Sequence, residues 1–532
     1  MQRFLAAIDN TIIRNGIAVL VILIFSLLLA NFLTPFGSAT TPDSLNYLDI
    51  ARNIKSGRGM LATDHSLENY DGMLYREVKL WPPLYSLTLA ASAFKLPDVV
   101  TASRLSAVLL ALTAMLAYLL LAPVMKWYFA LSASMLLCLT VPLITVYTYA
   151  WSETLFVPLL LLAVWASTRY LDAEAADAGR KYRFLGVLVL SLVALAYTRY
   201  IGIALSLLLP ATFLLCEKKR SALPAFVIAA GAYAAAVGYL LASNYRVTGS
   251  ITGGVRSPSD ITFRENLFDM LSVLDANIPS SPLVQLLILV AAMCIALVYA
   301  RLTTLRAQAQ SQRQPVSYRH TRNILLFAGL LYTGVLFVLR MYRDFDMLDM
   351  RLLTPALVVL WLLMLVVLAQ LKPVNIMHIV AQVLLWFCVI MFPVKGYTRF
   401  QESIHSWHVL GSPNHRANAG VSYMNYTSTQ LANPARKLLA GLLSGNAVVV
   451  AESPLIFEFM SGKRSLQLPE TIDIEVIDKF NALPAGSLIL LPNDKQQKGL
   501  LKLRLEYNLI YEYLQLGQRI AVRTPIFVVP ED

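Results

Sequence analysis

Membrane-length apolar runs recur along this chain, separated by short polar stretches. A bilayer crossing needs roughly 20 apolar residues, and residues 17–33, 100–124, 127–146, 154–170, 222–242, 283–300, 324–340, 352–371 and 375–394 each supply one. The run 184–215 is too long for one ordinary crossing, and Thr198-Arg199-Tyr200 interrupts it. If it folds back as two short helices, the basic groups Arg169/Arg180/Lys181/Arg183, Lys218/Lys219/Arg220 and the loop 301–322 fall on one side of the membrane. That side is the one holding Arg3 and Arg14, as the positive-inside bias requires. About eleven crossings follow, with the N-terminus inside and the C-terminus outside.

Three polar regions then lie outside: 34–98, 244–282 and the tail from 395. The tail alternates helix-like and strand-like runs at 434–443, 447–451, 471–477, 487–491, 505–514 and 519–523. It reads as a small extracytoplasmic α/β domain, 395–532, beside an α-helical polytopic membrane domain, 1–394. No internal repeat is visible, which counts against a transporter built from inverted halves.

Composition agrees with this division. Hydrophobic residues make up 57% of the 532 and charged residues only 14%, far from the balance of a soluble domain. The net charge of +12 is placed in short loops between apolar runs, where it sets orientation, and no nucleic-acid partner is implied. Cys138, Cys216, Cys294 and Cys388 all fall within apolar segments and read as small buried hydrophobes. The first run lacks a small-x-small cleavage pattern and reads as a retained anchor.

The densest chemistry follows that anchor. Thr41 suits a helix N-cap and Pro42 the first helical position, which sets Asp43 in the first turn, with Tyr47 and Ala51 on the same face. One reading is that Asp43 only complements the helix dipole. The other is a general base, since a carboxylate held close to hydrocarbon marks a functional site. Asp49 lies off that face and reads as structural or solvated. Lys79, ahead of Trp81-Pro82-Pro83-Leu84-Tyr85, heads a short apolar run that suits a helix lying in the interface. Its ammonium either snorkels to lipid phosphates or grips the phosphate of a lipid-borne substrate. Glu153 opens an apolar run on the outer side, Arg199 lies at the outer tip of the folded-back pair, and Arg351 opens another run there, with Arg340 and Arg343 nearby. Acids facing several guanidinium groups make either an interfacial charge network or a phosphate site, for which the planar donor fork of arginine is suited. His65, His405, His408 and His415 lack metal-ligand spacing, and no metal ligand is assigned. Asn425-Tyr-Thr427 matches a glycosylation triplet. No nucleotide-type glycine-rich loop occurs.

The segments Asp43-Ser-x-x-Tyr47-x-x-x-Ala51-x-Asn53-x-x-x-Gly57-x-Gly59, Lys79-x-x-Pro-Pro-Leu-Tyr85 and Ala102-x-Arg104-Leu-x-Ser-Ala107 resemble the C-superfamily (GT-C) glycosyltransferases. The protein mannosyltransferase and aminoarabinose transferase branch is the most similar. Glu153 matches that branch's second acidic position, where Asp is common; Thr198-Arg199 is similar to its Thr-Lys/Arg segment, and Arg351-Leu-Leu-x-Pro355 to its Arg-Tyr-x-x-Pro element. The resemblance covers the membrane region and not the tail. It implies a polyprenyl-phosphate sugar donor entering from the bilayer, and inverting transfer to a glycan, lipid or protein acceptor at the outer face of a bacterial inner membrane. It also implies Asp43 as base, Glu153 as a catalytic acidic group orienting Asp43, an arginine or the acceptor, and Tyr47, Lys79, Arg199, Arg343 and Arg351 as substrate-binding groups. Some members use a divalent metal and others do not, so none is assigned. A phosphate leaving group needs charge stabilisation in place of a protonating acid, which accounts for the cations.

Two other classes fit less well. An O-antigen polymerase or ligase places its large external loop late among the spans. A flippase or transporter of lipid-linked sugars calls for pseudo-repeated halves. The topology itself is testable: a reporter fused after Lys372 is expected to read cytoplasmic and one near Lys395 external, and the reverse result breaks the folded-back assignment.

Overall fold

The computed structural model describes residues 11–35, 37–67, 75–173, 178–216, 219–254, 257–275, 277, 316–343, 348–371 and 376–410, and short stretches of 448–528. Its helices are α1 (Thr11–Leu33), α2 (Pro42–Lys55), α3 (Leu84–Ser92), α4 (Val99–Leu121), α5 (Trp127–Cys138), α6 (Val141–Thr148), α7 (Glu153–Asp172) and α8 (Ala178–Thr198). A 3₁₀ helix (Tyr200–Leu207) then leads to α9 (Leu208–Leu215), α10 (Lys219–Thr248), α11 (Phe263–Asp275), α12 (Val316–Tyr342), α13 (Met350–Gln370) and α14 (Ile376–Leu410). The chain divides into two compact units. One comprises residues 1–35, 79–85 and 104–405; the other comprises 36–78, 86–103 and 406–532.

In the first unit, among the described residues, eight helices are long and apolar enough to cross a membrane, and the pair α5–α6 makes a ninth. The apolar run 283–300, Cys294, the triplet at 425–427 and the tail runs 434–443 and 519–523 lie outside the described residues. The run 127–146, expected as one straight span, is bent by 54° between α5 and α6. Pro142 has no N–H to offer the preceding turn, and the Leu137 carbonyl accepts from both the Thr140 N–H at 3.1 Å and its Oγ1 at 2.7 Å, which closes the end of α5. The interruption expected at Thr198-Arg199-Tyr200 is present: α8 stops at Thr198, Arg199 is extended (φ −152°, ψ 137°), and the chain resumes as the 3₁₀ helix. A 3₁₀ helix rises more per residue than an α-helix, so Tyr200–Leu215 reaches about 28 Å, nearly the thickness of the hydrocarbon layer. Cys138, Cys216 and Cys388 are buried and unbridged, as small apolar side chains would be.

The second unit begins from α2. Thr41 Oγ1 accepts the Ser44 N–H at 3.4 Å and Pro42 occupies the first turn, so the helix starts where its capping residues dictate. At its end Gly57 and Gly59 take positive φ (76° and 91°), the left-handed geometry that glycine enters without strain. Asn53 fixes this turn by donating to the Leu61 carbonyl at 2.9 Å and accepting from Arg58 Nε at 2.8 Å. The chain then enters β1 (Leu61–Thr63), which pairs antiparallel with β2 (Tyr75–Glu77). Asp49 is buried and accepts the Thr63 N–H at 2.7 Å and its hydroxyl at 2.9 Å, a structural carboxylate that holds β1 against α2.

The described part of the tail is α/β. Strands β3 (Val449–Ala451), β4 (Ser465–Gln467), β5 (Leu488–Leu490), β6 (Tyr511–Glu512) and β7 (Ile526–Val528) form one sheet in the order β4-β3-β5-β7-β6, with α15 (Ile474–Asn481) between β4 and β5. Strands β4, β3 and β5 run parallel, and β7 is antiparallel to both β5 and β6. The run at 471–477 contributes to α15, while those at 447–451 and 487–491 give β3 and β5. One link was not visible in sequence: the Gln467 N–H donates to the His65 carbonyl at 2.6 Å, and His65 Nδ1 lies 2.8 Å from the Ser465 carbonyl and 3.6 Å from Glu458. Burial pushes the Glu458 carboxyl above its ordinary range, and His65 opposes that rise.

Removing the Asp49 carboxylate leaves the Thr63 N–H buried without its acceptor. Asp49→Ala is expected to cost about 2 kcal/mol, read as a lower thermal midpoint and faster proteolysis at β1 in the purified protein.

Candidate active site

Three interruptions of helical structure in the first unit bring three charged side chains together. Glu153 is the first residue of α7, Arg199 sits in the break between α8 and the 3₁₀ helix, and Arg351 is the second residue of α13. Polar side chains at such ends lie where backbone donors and acceptors are already unpaired, so charge there is less costly than in mid-helix. The Glu153 carboxylate is fully buried. Arg351 Nε donates to its Oε1 at 2.7 Å, and Arg199 Nη1 pairs with the same oxygen. Ser152 bridges the group: its hydroxyl donates to Glu153 Oε2 at 3.3 Å and accepts from Arg199 Nη1 at 3.4 Å.

The local sequence fixes each member. Trp151 stacks on Tyr149 with centroids 4.2 Å apart and planes 8° from parallel, and the Arg351 guanidinium lies 4.8 Å from the Trp151 ring. A guanidinium over an indole face gains cation–π attraction. Tyr147 donates to the Thr154 carbonyl at 3.0 Å, and Thr154 to the Trp151 carbonyl at 2.7 Å, so Trp151-Ser152-Glu153 is held on both sides. Asp349 caps α13 by accepting the Leu352 N–H at 3.0 Å, which sets the position of Arg351 two residues on. The three charged groups carry one negative and two positive charges, and desolvation is severe enough that such a carboxylate persists only with its cations in place.

The other sequence-derived residues fall as follows. Lys79, half-buried in the same unit, donates from Nζ to Ser243 Oγ at 3.3 Å, and its carbonyl receives the Tyr200 hydroxyl. Arg340 does not join Glu153. It pairs with Asp269 of α11 at 2.6 Å and donates to Asn266 at 3.3 Å, which is a structural role. Arg343 lies exposed just past the end of α12. In the second unit Asp43 is half-buried in the first turn of α2 and Tyr47 is buried one turn later, its carbonyl accepting from Ser86 Oγ at 3.2 Å. Among the described residues no group of three or more His, Cys, Asp or Glu side chains is disposed to hold a metal ion.

Ser152, Trp151 and Asp349 carry site geometry that sequence reasoning passed over. Their signal was adjacency: each lies within two residues of a charged group already singled out. Glu153→Gln keeps the shape but leaves two guanidinium groups without their anion, and about 3–5 kcal/mol of stability should go with it, measured by thermal unfolding of the purified full-length chain. Glu153→Asp should lose clearly less.

No protein-family model and no curated protein matches the sequence. The chain is similar to the crystal structure of ArnT from Cupriavidus metallidurans bound to undecaprenyl phosphate, with a TM-score of 0.57 and 10% identity over 97% of this chain and 99% of that one. The apo state of the same protein gives a TM-score of 0.47 and 12% identity over 97% and 99%. The oligosaccharyltransferase of Archaeoglobus fulgidus, tethered with an acceptor peptide, gives 0.44 and 10% over 85% and 64%. At such low identity it is the architecture that is shared: this chain has the polytopic membrane fold seen in the undecaprenyl-phosphate-bound ArnT structure.

Proposed function

We propose that this chain is an integral-membrane glycosyltransferase that moves a sugar from a polyprenyl-phosphate donor to an acceptor, with inversion, at the extracytoplasmic face of a bacterial inner membrane. In the proposed step an acceptor hydroxyl oxygen attacks the anomeric carbon. Its proton passes to the Asp43 carboxylate, the bond from the anomeric carbon to the phosphate oxygen breaks, and polyprenyl phosphate departs with the electron pair. The fold over nearly the whole chain supports this reading, because the similar ArnT structure holds undecaprenyl phosphate.

The observation that carries the proposal is the pairing of Arg199 and Arg351 on one buried carboxylate. Glu153 offsets one of their two positive charges and fixes both planes. A phosphate monoester oxygen is a complementary anion for such guanidinium groups, whose planar fork suits two oxygens at once. Donors held in place before the leaving group develops its charge need no reorganisation at the moment of transfer. Lys79 adds a third cation from the same unit. In this account Glu153 acts on the donor side, by orienting arginines. Asp43 is assigned as base from its place in the first turn of α2 and from the resemblance of its motif.

Asp43→Asn tests the base directly. The variant should insert, fold and bind polyprenyl phosphate as the parent does, while release of polyprenyl phosphate from a polyprenyl-phosphate sugar falls by at least about 10²-fold. Turnover near the parent rate removes Asp43 from that role.

A further inference from the structure

We infer that Tyr200 and Asn244 are positioning residues for Lys79, locking it to the arginine pair so that one rigid cationic set meets the lipid phosphate; this rests on the donor class proposed above. Three chain segments converge on a single peptide group. The Tyr200 hydroxyl donates to the Lys79 carbonyl. Asn244 Nδ2 donates to the Tyr200 hydroxyl at 2.8 Å and to the Ile251 carbonyl at 3.0 Å. Gly253, at φ +74°, backs directly onto the Lys79 carbonyl, where any side chain would collide with it. The Lys79 ammonium is meanwhile steadied by Ser243, the neighbour of Asn244 in α10.

The arrangement has a purpose beyond holding a loop. Tyr200 follows Arg199 immediately, at the step where the extended backbone gives way to the 3₁₀ helix. One peptide step therefore ties Glu153 and its arginines, through Arg199, to Lys79, through Tyr200. Asn244 is buried to 1% exposure, so its amide orients the hydroxyl in a setting where a lost partner is felt in full. The position of Lys79 relative to Arg199 is thus set by two side chains that carry no charge and that the phosphate need not touch. Such second-layer groups govern affinity by fixing geometry.

The test measures binding of farnesyl phosphate, with farnesol as the phosphate-free control, to the purified full-length chain. Tyr200→Phe keeps the ring and removes the donor; about a tenfold loss of affinity for farnesyl phosphate is expected, with farnesol binding unchanged. Lys79→Ala should also weaken farnesyl phosphate, and the double variant K79A/Y200F should bind within about twofold of K79A alone, because Tyr200 acts through Lys79. If Y200F folds poorly, N244A releases the same hydroxyl and should give the same pattern. Parent-like binding by Y200F or N244A, an equal loss for farnesol, or additive losses in the double variant would overturn the positioning role while leaving the donor reading intact. Parent-like binding by K79A would likewise overturn the positioning role, whereas equal binding of farnesyl phosphate and farnesol by the parent chain would overturn the donor reading.

Discussion

Everything in the membrane unit turns on the cost of burying the Glu153 carboxylate. An isolated carboxylate away from water is unfavourable by several kcal/mol, and the attraction of a single cation offsets that only when the geometry is good. Here two guanidinium groups converge on one oxygen, a serine hydroxyl serves the other, and an indole face backs one of the arginines. The chain has had to interrupt three helices to deliver these groups, and the fold of the unit is arranged around those interruptions. The same assembly is the one proposed above to meet a lipid-borne phosphate. On that proposal stability and recognition draw on one set of contacts, and exchanging the carboxylate has consequences for both.

The break at Arg199 shows how local conformation serves that end. Were residues 184–215 one continuous helix, Arg199 would sit in the middle of a span, facing hydrocarbon or a helix neighbour. The extended residue instead puts it between two helical segments, beside the end of α7 that carries Glu153. The same step places Tyr200 on Lys79. A single irregularity in backbone conformation thereby bears on two cations, Arg199 and Lys79.

The parts of this structure that sequence made legible are those governed by near-neighbour rules. Thr41-Pro42-Asp43 announces a helix start because capping depends on residues two or three apart. Thr198-Arg199-Tyr200 announces a break because two polar groups interrupt an apolar run of implausible length. Glu153 and Arg351 stand out because charge at the edge of a span is rare. The missed features depend on distant partners. Asp49 could be placed off the Asp43 face but not assigned to Thr63, and nothing in the sequence links His65 to Ser465 and Gln467, 400 residues on. The bend after α5 was missed for a different reason: residues 139–142 are apolar enough to pass as mid-span, and Pro142 is compatible with a kinked helix as well as with a break. Arg340 was grouped with Arg343 and Arg351 by proximity in sequence, yet the helical turn points it at Asp269.

The claim at the centre of this account is that the cation set around Glu153 recognises a lipid-borne phosphate. Equilibrium binding of undecaprenyl phosphate and of undecaprenol to the purified parent chain, as a function of salt, tests it most directly. The account predicts that the phosphate form binds at least about tenfold more tightly, and that this margin narrows as salt rises but survives, since the paired groups are largely buried. Equal affinity for the phosphate and the alcohol would contradict it.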